Sequence, residues 1–171
     1  MSSSRKKVIL RTTADATLSG YLPLAGLIEN DSVSLLDLSG RVIAIPLASV
    51  KTICYVRDFN LTDTLNPERL TRRTFLARPR TEGLWLRITF ASGDQLEGLA
   101  PLDLSLLDAL IHDRGLYLIP PDIRSNTQRL FVPHAAMTGL QLLGVITSPS
   151  KAAPAPKPTR PDQNDLFPPN D

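Results

Sequence analysis

One pattern, present twice, constrains the fold of this chain more than any other feature. Residues 41–59 (RVIAIPLASVKTICYVRDF) and 129–145 (RLFVPHAAMTGLQLLGV) each hold an apolar run, a proline and a second apolar run. Short runs rich in β-branched and aromatic residues predict strands, and the proline predicts a corner between them. Each stretch closes a half of the chain that opens with an apolar run ending in arginine, Val8–Arg11 and Leu84–Arg87. We therefore predict two related β units.

Turn-forming residues divide each half into five short strands. We predict strands at 7–13, 17–24, 32–38, 41–47 and 50–57, and again at 84–90, 95–100, 115–120, 128–133 and 138–146. Gly20 lies inside a strand, which is typical of a bend in a curved sheet, and its segment LSGYLPL parallels LEGLAPL in the second half. Because Val42 and Ala44 alternate with other apolar residues, we expect that strand to be covered on both faces. The pattern favours a mainly all-β protein of two tandem small five-stranded antiparallel barrels.

The segment between the predicted units is basic, and Asn66-Pro67-Glu68 has the residues that start a helix. We predict a helix from there to about residue 77, which docks Leu70, Phe75 and Leu76 on a barrel.

The segment after residue 147 is rich in proline and polar residues, and it predicts disorder. The predicted organisation is therefore a first barrel at 5–59, a basic helical linker at 60–83, a second barrel at 84–147 and a disordered tail at 148–171.

Composition limits the classes of function. The 171 residues carry a formal net charge of +2, which is too small to indicate a nucleic-acid partner by itself. Cys54 is the single cysteine and lies in a predicted strand, so no intrachain disulfide forms and the thiol is expected to pack as a small apolar group. No apolar run approaches the length of a membrane-spanning helix. We expect a soluble, cytoplasmic protein with no membrane partner.

Four segments carry a resemblance to a known family. They are CYVRDF (54–59), NPERL (66–70), RPRTEGLWLR (78–87) and PPDIRSNTQRLFVP (120–133), and together they resemble an uncharacterised bacterial family, a domain of unknown function. The resemblance covers roughly residues 5–147. The barrel repeat itself is similar to the Sm-like and SH3-like class of small barrels. Neither resemblance implies an activity.

Two arginine-rich segments are candidate anion sites. The loop at 124–129 (RSNTQR) has two guanidinium groups that can grip a phosphate or carboxylate, but its Ser, Asn and Thr can equally satisfy the backbone of a hairpin tip. The linker arginines can contact phosphates or form the solvated face of a helix. The candidate anion or nucleic-acid contacts are Arg69, Arg72, Arg73, Arg124, Asn126 and Arg129.

The tail contains a pentapeptide, Gln163 to Phe167 (QNDLF), that is similar to the motif by which bacterial proteins dock on the DNA polymerase sliding clamp. In that interpretation Leu166 and Phe167 enter an apolar pocket and Gln163 hydrogen-bonds beside it. Short matches in such tails also arise by chance.

No catalytic, metal or cofactor constellation is evident in the sequence, and we predict that the protein is not an enzyme and has no cofactor. The favoured hypothesis is a non-catalytic binding or scaffold module that acts through protein–protein contacts at barrel edges and loops. The second hypothesis is Sm-like binding of RNA or DNA through the linker and loop arginines. An unpaired edge strand in either unit would favour a homo-oligomer.

Overall fold

The structure is a computed structural model, and it describes residues 5–23, 26–122 and 124–147. Strands dominate these ranges. Those of the first half are β1 (Lys6–Thr12), β2 (Thr17–Leu22), β3 (Ile28–Glu29), β4 (Ser32–Asp37), β5 (Val42–Pro46) and β6 (Val50–Val56). Those of the second half are β7 (Gly83–Phe90), β8 (Gln95–Ala100), β9 (Gly115–Leu118), β10 (Thr127–Pro133) and β11 (Met137–Ile146).

Each of the ten predicted strands overlaps an observed one, and their ends differ by at most two residues. Leu24, the predicted end of the second strand, lies outside the described residues, as does the predicted tail at 148–171. The prediction missed β3, because two residues carry no readable alternation.

The second half carries a short helical insertion between β8 and β9. It consists of α1 (Ser105–Asp108) and a π-helical turn at Ala109–Asp113. In the described ranges no helix is long and apolar enough to cross a membrane.

The strands form two antiparallel sheets, and neither is closed into a barrel. The larger has eight strands in the order β3-β4-β2-β1-β6-β10-β9, with β5 also paired to β4, and the smaller has the order β11-β7-β8. Leu99 of β8 and Ile119, just after β9, exchange two backbone hydrogen bonds of 3.0 and 2.9 Å, which link the two sheets. The mainly β class is therefore confirmed, whereas the predicted barrel closure is not observed.

The order of strand pairing is the same in the two halves. In the first half it is β5-β4-β2-β1-β6, and in the second it is β10-β9-β8-β7-β11, where the Leu99–Ile119 bridge joins β9 to β8. The halves meet where β6 pairs with β10, in a register that sets Phe131 opposite Ile53 and Leu130 opposite Cys54. A single succession of ten paired strands thus runs from β5 at one end to β11 at the other.

The corner that dominates the sequence has one conformation in both halves. Pro46 and Pro133 each precede a single 3₁₀ turn, Leu47–Ser49 and His134–Ala136, and the next strand begins directly after it. The strand after each corner pairs irregularly with its neighbour close to its start. For β6 the register shifts opposite Arg11 and Thr12 of β1, and for β11 it shifts between its own residues Met137 and Gly139. Equivalent positions of the two corners therefore differ by 87 in residue number.

Two glycines fix how closely the strands approach. Val8 pairs with Gly20, and Leu86 pairs with Gly98. A Cβ at Gly20 would meet the Leu36 carbonyl oxygen and the Leu35 side chain, and a Cβ at Gly98 would meet the Leu118 side chain. Because Val8 and Leu86 are therefore equivalent, Arg11 lies two residues further along its strand than the position equivalent to Arg87. The two opening arginines are thus not equivalent, although the sequence suggested that they are.

The junction strands are buried on both faces. Phe131, from the second half, packs in the core of the first half, where it joins Ile53. In return, Cys54 and Val56 of the first half pack in the core of the second. Burial raises the pKa of the Cys54 thiol to about 12, as expected for a packing group. Each half therefore completes the core of the other.

Strand β5 is covered on one face only, so the prediction for it was wrong. Ile45 is buried, but Val42 and Ala44 are exposed. The apolar alternation is real, yet among the described residues nothing packs over the face that carries Val42 and Ala44. The strand is also an edge, since only β4 pairs with it there. Covering of both faces holds instead for β6.

The predicted linker helix is not formed, since residues 66–77 follow turns and bends. A single turn closes from the Arg69 N–H to the Asn66 carbonyl (2.9 Å), and Arg69 then adopts a left-handed φ of 48°. The Thr71 N–H then donates to the Arg69 carbonyl at 3.0 Å, and further along the Arg73 carbonyl bonds outwards, accepting from the Glu97 N–H at 2.7 Å. Leu76 is exposed, whereas Leu70 and Phe75 dock as predicted.

We expect Gly20→Ala and Gly98→Ala each to lower the free energy of unfolding by about 1–3 kcal/mol, because the added methyl group overpacks a strand crossing. The control is Gly144→Ala, whose Cβ would meet its nearest neighbour, Trp85, at an ordinary 3.5 Å. Denaturant titration of the three variants measures the difference. An equal, small effect at all three positions would refute the packing argument.

Candidate binding surfaces

The linker is held against the larger sheet by a buried ion pair. Arg11 of β1 donates from Nε and Nη2 to Glu68 Oε1 at 2.9 and 2.5 Å, and its Nη2 also donates to the Leu65 carbonyl at 3.1 Å. The side chains of Arg11 and Glu68 are 16% and 7% exposed. Because such a pair is costly to break, it fixes where the arginine that follows, Arg69, emerges.

The predicted loop at 124–129 holds the linker from the other side. Asn126 accepts from the Asp58 N–H at 2.9 Å and donates to the carbonyls of Asp58 and Pro67 at 2.8 and 3.1 Å. Thr127 donates to the Glu68 carbonyl at 2.7 Å. Asn126, a predicted anion contact, therefore positions the backbone, which is the alternative that the sequence left open.

These contacts bring two of the predicted arginines together. Arg69 and Arg124 line one open cleft of about 330 Å³, which Arg57 also lines. Asp58 and Asp122 lie in its wall, so the cleft is mixed in charge with an excess of guanidinium groups. It is a shallow polar site of a kind that could accept a phosphate or carboxylate. We call it the arginine cleft.

Two other predicted arginines lie elsewhere. Arg73 approaches Asp94 at 3.9 Å, and Asp94 also pairs with the buried Lys51 at 2.9 Å. The hydrogen bonds from Lys51 and Ser92 lower the pKa of Asp94, so it is a carboxylate at neutral pH. Arg72 is exposed. Neither arginine lines the arginine cleft.

Arg129 forms a second surface, which crosses the junction of the two halves. Its guanidinium group lies 4.0 Å from the ring centroid of Tyr117 and 5.8 Å from that of Tyr55. Lys6 and Gln128 complete a cleft of about 340 Å³ around these rings. A cation stacked on aromatic rings beside a second cation is typical of surfaces that hold bases and phosphates, although it also stabilises a fold. We call it the tyrosine cleft.

The Tyr117 hydroxyl is a donor rather than an acid. The Tyr117 hydroxyl donates to Asp113 at 3.1 Å. Burial, then the neighbouring Tyr55 and Asp113, raise the pKa of Tyr117 above its ordinary value. The sequence does not reveal this surface, because Lys6, Tyr55 and Tyr117 come from three distant strands. Only the fold brings them together, for example by pairing Tyr55 of β6 with Arg129 of β10.

A second buried carboxylate holds the far end of the linker. Glu97 of β8, at 4% side-chain exposure, accepts from the Phe75 N–H at 2.8 Å, from Arg87 at 3.1 Å and from Trp85 at 3.2 Å. Burial alone would raise the pKa of Glu97, but these hydrogen bonds outweigh it and the pKa lies below its ordinary value. The signal for this site in the sequence is a glutamate within an otherwise apolar predicted strand, 95–100.

Two edges of the sheets are also open surfaces. Among the described residues, β5 pairs only with β4 and β11 only with β7. Val42 of β5 is 70% exposed, and Leu140 and Leu142 of β11 are 54% and 55% exposed. Unpaired backbone beside exposed apolar side chains can accept another strand.

The described residues contain no group of three or more His, Cys, Asp or Glu side chains that could hold a metal ion. The tail residues Gln163, Leu166 and Phe167 lie outside the described ranges.

Comparison with known proteins gives a family but no activity. A family model described as a family of unknown function, DUF6982, matches residues 4–144. The chain belongs to this family. No curated protein and no solved structure matches the chain. The expected membership of an uncharacterised family is thereby confirmed, and the surfaces of this DUF6982 chain have to be interpreted from their own geometry.

We expect Glu68→Gln to lower the free energy of unfolding by about 3–5 kcal/mol, because it leaves the largely buried Arg11 without its counter-charge. Glu29→Gln, at an exposed glutamate of β3, is the matched control and should change it by less than about 0.5 kcal/mol. Thermal and denaturant unfolding measure both. Similar small effects for the two variants would show that the pair does not hold the linker.

Glu97 gives a prediction for pH. Because its native-state pKa is lowered from 4.5, its stabilising contribution is full above pH 4.5 and is lost as the pH falls through the native value. Denaturant unfolding between about pH 6 and 3 should therefore show a steeper loss of stability in the unaltered chain than in Glu97→Gln. If stability falls with pH equally in both proteins, Glu97 does not make this stabilising contribution.

Proposed function

We propose that this protein is a non-catalytic, cytoplasmic binding module that takes up an extended protein segment along an open sheet edge. The observation that carries the proposal is β11, a ten-residue edge strand with exposed Leu140, Leu142 and Val145. In such binding, backbone hydrogen bonds supply affinity and alternate side chains supply specificity.

We also propose that each half is a small unit of the Sm-like and SH3-like class. The identical order of strand pairing, the shared proline corner and the matched glycines Gly20 and Gly98 support a tandem repeat of one such unit. Units of this class present loops and edges rather than deep pockets, in keeping with a binding role.

The test is selection of random peptides of about 12 residues, displayed on phage, against the immobilised full chain. We expect enriched sequences with alternating apolar residues, and a loss of affinity of about tenfold or more in Leu142→Glu. Leu104→Glu alters a comparably exposed leucine outside β11 and should leave binding unchanged. No enrichment, or equal binding to both variants, would contradict the proposal.

A second candidate is nucleic-acid binding, and the two clefts favour it. Arg69 and Arg124 converge on the arginine cleft, while Lys6 and Arg129 flank two tyrosine rings in the tyrosine cleft. The partial pairing of Arg73 with Asp94 counts against it. In this case the tail residues Leu166 and Phe167 would tether the protein to a sliding clamp.

Fluorescence anisotropy with short RNA and DNA oligomers tests this candidate. Binding should weaken several-fold between about 50 and 200 mM salt. The double variant Arg69→Ala/Arg124→Ala should abolish most of it, whereas Arg80→Ala, at an exposed arginine outside the arginine cleft, should not. Absence of binding at low salt would exclude nucleic acid as the partner.

A further inference from the structure

The succession of ten paired strands has β5 at one end and β11 at the other, and β6 pairs with β10 at its centre. In the repeat, the two end strands are the counterparts of the two central strands. By the offset of 87 between the corners, Pro46 matches Pro133 and Val50 matches Met137. Strand β5 therefore corresponds to β10, and β11 corresponds to β6. Strands β10 and β6 pair at the junction, whereas among the described residues β5 and β11 each pair with one strand only. Besides that ladder, the Val145 carbonyl of β11 accepts from Arg78 at 3.3 Å, outside residues 140–142.

We propose that β11 of one copy of this chain pairs with β5 of a second copy and so repeats between chains the pairing that β6 and β10 make within one. The inference rests on the proposed strand-edge function and names its partner. If β11 and β5 pair in the same register as β6 and β10, they form an antiparallel pair. In that pair Leu140 faces Ala44, Gln141 faces Ile43 and Leu142 faces Val42.

Burial supports this assignment. At the junction, Ile53 and Phe131 are fully buried. Their counterparts at the open ends are Leu140 and Ala44, both exposed, and Leu140 is 54% exposed. Pairing of the ends would cover apolar side chains that otherwise face water.

The composition of the two strands points the same way. Edge strands of proteins that remain monomeric commonly carry charges, lysine above all, which prevent pairing with another chain. Neither β5 (VIAIP) nor β11 (MTGLQLLGVI) has a charged residue. Pro46 and the irregularities of β11 also protect edges, but they lie outside residues 42–44 and on either side of residues 140–142.

The contact between chains should be weaker than the junction. Ala44 takes the place of Phe131, and the polar Gln141 takes the place of Cys54, so less apolar surface is buried. We therefore expect reversible association, with a dissociation constant in the range of about 1–100 μM. Because the two edges differ, the assembly is head-to-tail, and it either closes into a ring or extends.

Sedimentation velocity of the full chain over that concentration range tests the association. Val42→Glu or Leu142→Lys alone should weaken it about tenfold or more, because each sets a charge in the new ladder. The double variant, or an equimolar mixture of the two single variants, should recover association, since the charges then face each other. Leu104→Glu is the control that leaves it unchanged.

Oxidative cross-linking tests the register. Val42→Cys mixed with Leu142→Cys should give a disulfide-linked dimer, because directly opposite residues lie within reach of a disulfide. Cys54 is buried and stays unreacted. Each single variant alone should not cross-link; self-cross-linking of Leu142→Cys would instead indicate β11–β11 pairing and overturn the proposal.

A chain that stays monomeric at all concentrations would also overturn it. If such a monomer still selects extended peptides, the strand-edge function stands and only its assignment to a second copy fails.

Discussion

The pairing of β6 with β10 is the interaction on which the rest of this structure depends. It joins strands from the two halves, and its side chains enter both cores: Phe131 packs in the first, while Cys54 and Val56 pack in the second. Residues covered on both faces bury about twice the surface of an ordinary half-buried strand, so this ladder contributes heavily to the hydrophobic term. The halves are consequently coupled rather than independent.

The linker depends on that junction. It bonds to β1 through Arg11 and Glu68, to the loop before β10 through Asn126, and to β8 through Glu97. Two buried carboxylates and one amide therefore replace the intrahelical bonds that the linker lacks. The arginine cleft is a consequence of these contacts, because they set Arg69 beside Arg124.

Strand positions were predictable from the sequence, because turn residues and apolar runs are local signals. The proline corners were predictable for the same reason, and both have the expected strand–turn–strand form. Local signals failed at the linker: Asn66-Pro67-Glu68 starts one turn, but the hydrogen bonds to Glu97 and Asn126 come from residues far along the chain. They failed again at β5, whose alternation cannot show whether other side chains pack on each of its faces.

The candidate surfaces were predictable in part. Arg69 and Arg124 do converge, but Asn126 positions the linker, Arg73 pairs with Asp94, and Arg129 lies on tyrosines from two other strands. Each of these outcomes depends on which strands are neighbours in space. That information appears only when the β6–β10 ladder is known.

Hydrogen–deuterium exchange of the full chain tests the central role of this ladder most directly. If the junction couples the halves, the hydrogen-bonded amides of β6 and β10 exchange only through global unfolding and are as slow as the slowest amides of β1 and β9. If the β6–β10 amides instead exchange through a separate opening of lower free energy while β1 and β9 stay protected, the halves are independent and this account of the fold is wrong.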